Sequence, residues 1–177
     1  MRPAWLVLAI ASGCGTTTDD RPATLPFITE TIFKPTCAAA ECHSNFARQS
    51  SYAFDSVANA RLSFLNDLKL IDLDNLGTDH AQLLRNLTEE LVGAPRMPYD
   101  APLPNEDIAL IRRWLDDGLT GICDPGAASA CLSVTSTDDK NVTTTKFSSL
   151  ACTDDGALDL KAAIVACPGG CAAGVCQ

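Results

Sequence analysis

Arg96-Met-Pro-Tyr-Asp-Ala-Pro-Leu-Pro-Asn-Glu-Asp-Ile-Ala-Leu-Ile-Arg-Arg-Trp-Leu-Asp-Asp-Gly118 joins two opposite kinds of backbone in one run. Its first half is governed by proline. Pro95, Pro98, Pro102 and Pro104 fix φ and remove backbone donors, so residues 93–104 read as a stiff, extended loop that holds Met97 in place. Its second half reads as a helix over Asn105–Asp117. Asn105 is the expected cap, Glu106 and Asp107 suit the positive end of the helix dipole, and Gly118 is the stop. Ile108, Ile111, Trp114 and Leu115 form its apolar stripe.

Working outward, every further strong pattern between residues 25 and 122 is helical. Ile28, Ile32 and Phe33 make a short apolar face that ends at Pro35. Ser56 to Leu68 is weaker, with Val57, Leu65 and Leu68 roughly in phase. Asp79 to Val92 is better, with Asp79 as cap and Leu83, Leu84, Leu87 and Leu91 at helical spacing. No alternating strand pattern of useful length interrupts them, so residues 25–122 are expected to form an all-α domain. From Cys123 onward small and polar residues dominate and Trp and Tyr are absent. A segment of 55 residues needs cross-links to hold a core. The expectation for residues 123–177 is a disulfide-rich module with little regular structure, carrying short strands at most near Leu132–Val134 and Asn141–Phe147.

The start of the chain bears on the cysteine arithmetic. Arg2 precedes a brief apolar run from Trp5 to Ile10, too short to span a bilayer. Ala11-Ser12-Gly13-Cys14 has the form of a bacterial lipobox, so residues 1–13 read as a signal peptide and Cys14 as the lipidated residue. Residues 14–24 then read as a lipidated tether. Export to the cell envelope, facing the periplasm or the exterior, implies an oxidising setting in which cysteines persist as disulfides. Nine cysteines are present. With Cys14 set aside, Cys123, Cys131, Cys152, Cys167, Cys171 and Cys176 suffice for three bridges, in a pairing that sequence does not choose. Loss of residues 1–13 removes one arginine, leaving 12 basic against 22 acidic residues. Such a balance argues against nucleic acid as a partner. The lipid is the one membrane device expected.

Cys37-Ala-Ala-Ala-Glu-Cys42-His43 is the segment richest in chemistry. Two thiols can add to the two vinyl groups of a haem while the adjacent imidazole ligates its iron. The common spacing has two residues between the cysteines; here there are four, and a Cys37–Cys42 disulfide fits the same residues. A second iron ligand would have to be Met97 or, as the lesser candidate, His80. Hydrolase, phosphate-binding and zinc-protease motifs are absent, so no enzyme is expected.

The run from Arg96 to Gly118 resembles the C-terminal part of the small cytochrome c domains of exported bacterial proteins, where a Met-Pro loop leads into a helix ending in Ile-x-x-Trp-[Ile/Leu]-x-x-Gly. Ile32-Phe-Lys-Pro-Thr-Cys37 to His43 is similar to that family's first helix and haem motif. The resemblance covers roughly residues 27–120. It implies a cytochrome c-like domain over 25–122 in which the first and last helices pack together. It also implies one covalent haem c on Cys37 and Cys42, with His43 as proximal and Met97 as distal ligand. One-electron transfer to a redox partner protein of unknown identity is the implied function. The alternative is a haem-free envelope lipoprotein of similar fold, with Cys37 bridged to Cys42, acting as a binding module.

Overall fold

Thr24 starts the first helical run, its side chain accepting from the Phe27 amide at 3.4 Å. The computed structural model describes residues 19–73, 81–89, 96–99, 101–137, 143–172 and 175–177. α1 (Leu25–Ile28) passes into a π-helical turn (Thr29–Phe33) and then α2 (Lys34–Thr36), burying Leu25, Ile28, Ile32 and Phe33. α3 (Val57–Asn66) is capped by Ser56, whose side chain accepts from the Asn59 amide. Its buried face is Ala60, Phe64 and Leu65 together with Arg61 and Ser63. α4 (Gln82–Thr88) buries Leu83, Leu84 and Leu87; the expected cap Asp79 and Leu91 lie outside the described residues.

α5 (Asn105–Asp116) buries Leu110, Ile111, Trp114 and Leu115, close to the stripe read from sequence, with Ile108 half-buried. The cap is Pro104 rather than Asn105. The Pro104 carbonyl accepts from Asp107 and Ile108, so Asn105 is already the first helical residue. Gly118, at φ +87°, ends the helix as expected. α1 packs against α5. The Leu25 amide donates to Thr120 O at 2.9 Å. A Cβ on Gly121 would lie 2.6 Å from Pro26 Cδ, so only glycine allows this approach.

The all-α expectation, with little regular structure after it, is corrected by the rest of the chain. β1 (Ser129–Thr137) and β2 (Thr143–Ala151) pair antiparallel from Ser129↔Ala151 to Thr137↔Thr143. β3 (Val165–Ala166) joins the other edge of β2, and β4 (Cys171–Ala172) pairs with β5 (Val175–Cys176) in a second small sheet. The fold is mixed, helices followed by two antiparallel sheets. Thr and Ser carry the β propensity of the long hairpin, while Ala130, Cys131 and Ser133 fill buried positions that would otherwise show as large apolar residues. Alternation is therefore faint in the sequence.

The six tail cysteines form three disulfides: Cys123–Cys152, Cys131–Cys171 and Cys167–Cys176. Ala130, Leu132, Leu150 and Leu158 belong to the same apolar core as the helices. Arg61, 8% exposed, donates from Nε to Ile122 O at 2.8 Å and pairs with Asp124. The change at residue 123 is one of secondary structure, not of core.

The stretch assigned to a tether is shorter than its sequence suggests. Asp19 and Arg21 pair with each other, Arg21 reaches Asp107 at 2.6 Å, and Arg113 donates to the carbonyls of Asp19 and Arg21. Residues 19–21 are thus fastened to α5.

Candidate functional site: the cavity between the Cys37–His43 turn and the Met97 loop

Phe33 O accepts from both Cys37 N (2.7 Å) and Ala38 N (3.1 Å), so the helical run delivers Cys37 at its last turn. The chain then closes on itself. Cys42 N donates to Ala39 O, and His43 N donates to Cys37 O at 3.1 Å. Four intervening residues are therefore accommodated as a hydrogen-bonded turn. Beyond it, Gln49 N donates to Cys42 O and Phe54 N to His43 O. Both ends of the motif are held by backbone bonds.

Cys37 and Cys42 are unbridged thiols. Cys37 is half-buried, and burial pushes its thiol pKa up despite the Thr36 hydroxyl 3.4 Å from its sulfur. Cys42 is exposed.

His43 is half-buried, with Nδ1 3.0 Å from Gln49 O. A carbonyl only accepts, so this contact puts the proton of the neutral ring on Nδ1 and the lone pair on Nε2. Burial lowers the pKa of the ring, opposed by its backbone bonds to Gln49 and Tyr52; the neutral, ligating form is favoured. Phe54 meets the ring edge-on at 5.5 Å, and the Tyr52 ring is 6.0 Å away. Tyr52 in turn donates to Asp67 Oδ2 at 2.5 Å.

Met97 comes from a segment distant in sequence. Its amide donates to Asn86 O on α4 at 2.7 Å, which ties the proline-rich loop to that helix. Cys37, His43 and Met97 line one cavity of about 240 Å³. Phe33, Phe54, Leu70, Leu83 and Leu87 wall it. Met97 keeps 38% of its surface exposed. Cys42 sits outside the lining, on the exposed turn. His80 and Cys14 lie outside the described residues.

The donor set can be tested against a haem. Among the described residues, no group of three or more His, Cys, Asp or Glu side chains gathers to hold a bare metal ion. One imidazole and one thioether are too few to bind iron alone. They would be enough for an iron that came already held by a porphyrin, whose ring would meet Phe33, Phe54, Leu70, Leu83 and Leu87, with Ser50, Gln82 and Asn86 lining the rest. The residues present fit such a group.

Gln49, Tyr52, Phe54 and Asp67 complete the surroundings of His43 and were not expected from sequence. Tyr52-Ala-Phe54, two aromatics nine and eleven residues after His43, was the available signal. Gln49 contributes only a backbone carbonyl, for which no residue signal exists. Among the described residues no helix is long and apolar enough to cross a membrane. No family model matches the chain, and no curated protein or solved structure matches it.

Proposed function

We propose that the protein is a lipid-anchored, monohaem c-type cytochrome that carries single electrons at the bacterial cell envelope. The observation that carries this reading is the convergence of Cys37, His43 and Met97 on one apolar cavity, with His43 Nδ1 committed to Gln49 O. The unbridged state of Cys37 and Cys42 supports it further, since attachment needs both thiols. A covalently bound haem would supply a one-electron Fe(III)/Fe(II) couple. Cys37 and Cys42 would hold it by thioether bonds. His43 Nε2 would ligate the iron, oriented by the bond from Nδ1 to the Gln49 carbonyl. Met97 would be the second ligand, and its soft thioether would favour the reduced state, as would the Phe and Leu part of the lining. With His43 and Met97 both holding the iron, the haem would carry electrons rather than bind a substrate.

Expression of the full chain with a c-type maturation system tests this directly. Reduced c-type absorption bands and a mass raised by one haem are expected, and the lack of both would sink the reading. Met97→Ala is expected to lower the midpoint potential and alter the distal-ligand spectrum. An unchanged spectrum would move the distal role to His80. Cys14→Ala is expected to release the protein from the membrane fraction and to abolish labelling by a radioactive fatty acid. Retention in the membrane with no label lost would remove the lipid anchor from the proposal.

A further inference from the structure

Four of the tail's bridging sulfurs gather in one cluster. Cys131–Cys171 ties β1 to β4, and Cys167–Cys176 ties the residue after β3 to β5. The two bridges touch: Cys131 Sγ stands 3.8 Å from Cys167 Sγ, a contact between sulfurs that are not bonded to each other. The other two sulfurs are also placed against each other. Cys171 and Cys176 lie directly opposite on the β4–β5 ladder, and in the next rung Gln177 N donates to Gly170 O. Bonded rungs of an antiparallel ladder alternate with unbonded ones, so Cys171 and Cys176 occupy the unbonded kind, where opposite side chains come closest. Each of the four cysteines thus has two candidate partners, the one it is bonded to and the one it faces. Burial grades the cluster. Cys131 and Cys167 are 4% and 3% exposed, whereas Cys171 and Cys176 are half-buried.

We propose that Cys131, Cys167, Cys171 and Cys176 form a thiol-exchange site, entered by an external thiol, that moves the tail between two disulfide pairings. The external thiolate attacks Cys176, the accessible end of its bridge, and Cys167 leaves with the electron pair. Cys167 attacks Cys131, and Cys171 leaves. Cys171 then attacks Cys176 across the ladder and expels the external thiolate. As many bonds form as break, nothing is oxidised or reduced overall, and the thiol is returned as a catalyst. The middle step closes the 3.8 Å gap by about 1.8 Å to reach disulfide length, and β3, an edge strand of two residues, is the element that follows. The exchange changes what the bridges hold. In the present pairing both fasten the β4–β5 ribbon to the rest of the fold. In the other, Cys131–Cys167 ties β1 to the end of β3 and Cys171–Cys176 closes the ribbon on itself, so no bridge fastens the ribbon to the larger sheet. The cavity and its occupant play no part in this chemistry.

The test uses full-length chain carrying Cys14→Ser, Cys37→Ser and Cys42→Ser, which leaves the bridging sulfurs as the only ones from cysteine. A further Cys176→Ser frees Cys167 and starts the relay at its middle step. After acid quenching, labelling with N-ethylmaleimide and peptide mapping, label is expected on both Cys167 and Cys171. Label on Cys167 alone would overturn the site. Cys171→Ser is the mirror image: it frees Cys131, and label is expected on both Cys131 and Cys176, whereas label confined to Cys131 counts against the relay as strongly. If neither variant folds, as read by circular dichroism, the background with its bridges intact decides. Incubated with reduced and oxidised glutathione, it is expected to gain Cys131–Cys167 and Cys171–Cys176 linkages in fragmentation spectra of its linked peptides, with Cys123–Cys152 unchanged. Persistence of the original pairing alone would overturn the proposal.

Discussion

Asp55 illustrates how a single side chain fixes the approach to the site. Its Oδ2 accepts from the Asn45 amide at 2.8 Å, and its Oδ1 accepts from Asn59 Nδ2 at 2.7 Å. The loop after His43 is thereby buttoned to the start of α3. The Asn59 amide first, then the Asn45 N–H, hold the Asp55 carboxyl below the ordinary value of 3.8. The folded state therefore favours the carboxylate more than the unfolded chain does. The resulting stability is present above pH 3.8 and is lost as pH falls through the lowered folded value. Asp19 and Asp155 are lowered in the same way, by Arg21 and by the Thr153 hydroxyl, so the acid limb is shared. Asp55→Asn is expected to flatten part of that limb in urea midpoints measured from about pH 3 to 7. An acid slope identical to wild type would show that this carboxylate does not titrate with folding. Tyr52 is the complementary case, its hydroxyl pKa raised by burial and then by the Asp67 carboxylate that accepts its proton. Tyr52→Phe is expected to cost about 1 kcal/mol of stability, with the reduced-state absorption bands unchanged. A shift in those bands would mean that Tyr52 orients His43 as well as Asp67.

At the scale of elements, the join of α1 to the turn after α5 leaves no room for a side chain. Gly121 sits at φ +80°, and an added Cβ would meet Pro26 Cδ at 2.6 Å. Gly121→Ala therefore combines a disfavoured backbone with a clash, and a loss of more than about 1 kcal/mol is expected in thermal or urea unfolding. Trp114 lies beside the same turn, fully buried, with Nε1 donating to Thr120 O and its ring 5.3 Å from Phe64. Its element was legible because a clean stripe on α5 obeys one period and ends at a glycine. The α5 cap was misread because sequence shows a good capping residue in Asn105 but not that the proline before it supplies the first accepting carbonyl. α3 was only half legible: Arg61 and Ser63 share its buried face with Phe64, and buried polar residues blur the period. The long hairpin was missed for a related reason, since alanine, serine and cysteine fill buried positions in β1. Cys37, His43 and Met97 could be singled out in the sequence because their side chains carry chemistry, and they line one cavity. Gln49 O acts through backbone position, which becomes visible only once the loop after His43 is in place.

Considered as a whole, the helices and the strands are joined by contacts that cross residue 123 and share one apolar core. Arg61 is the main tie, its buried guanidinium shared between Ile122 O and Asp124, with Ser133 Oγ adding a bond to Asn66 O at 3.2 Å. Asn66 precedes Asp67, which receives Tyr52, which lies against His43. The hairpin thus supports the end of α3, a few residues before Leu70, which lines the cavity. Cys123–Cys152 and Cys131–Cys171 close loops with separations of 29 and 40 residues. Each restricts the unfolded chain by about 3–4 kcal/mol on the loop-entropy account. Because the core is continuous, that stabilisation belongs to the helices as much as to the strands. Reduction of the disulfides is therefore expected to lower the urea midpoint of the helical signal in circular dichroism and of Trp114 fluorescence together. In the oxidised protein the two probes are expected to give one coincident transition. If the reductant leaves the helical midpoint where it was, the strands are an independent appendage, and the line of support from Ser133 to His43 carries no energy.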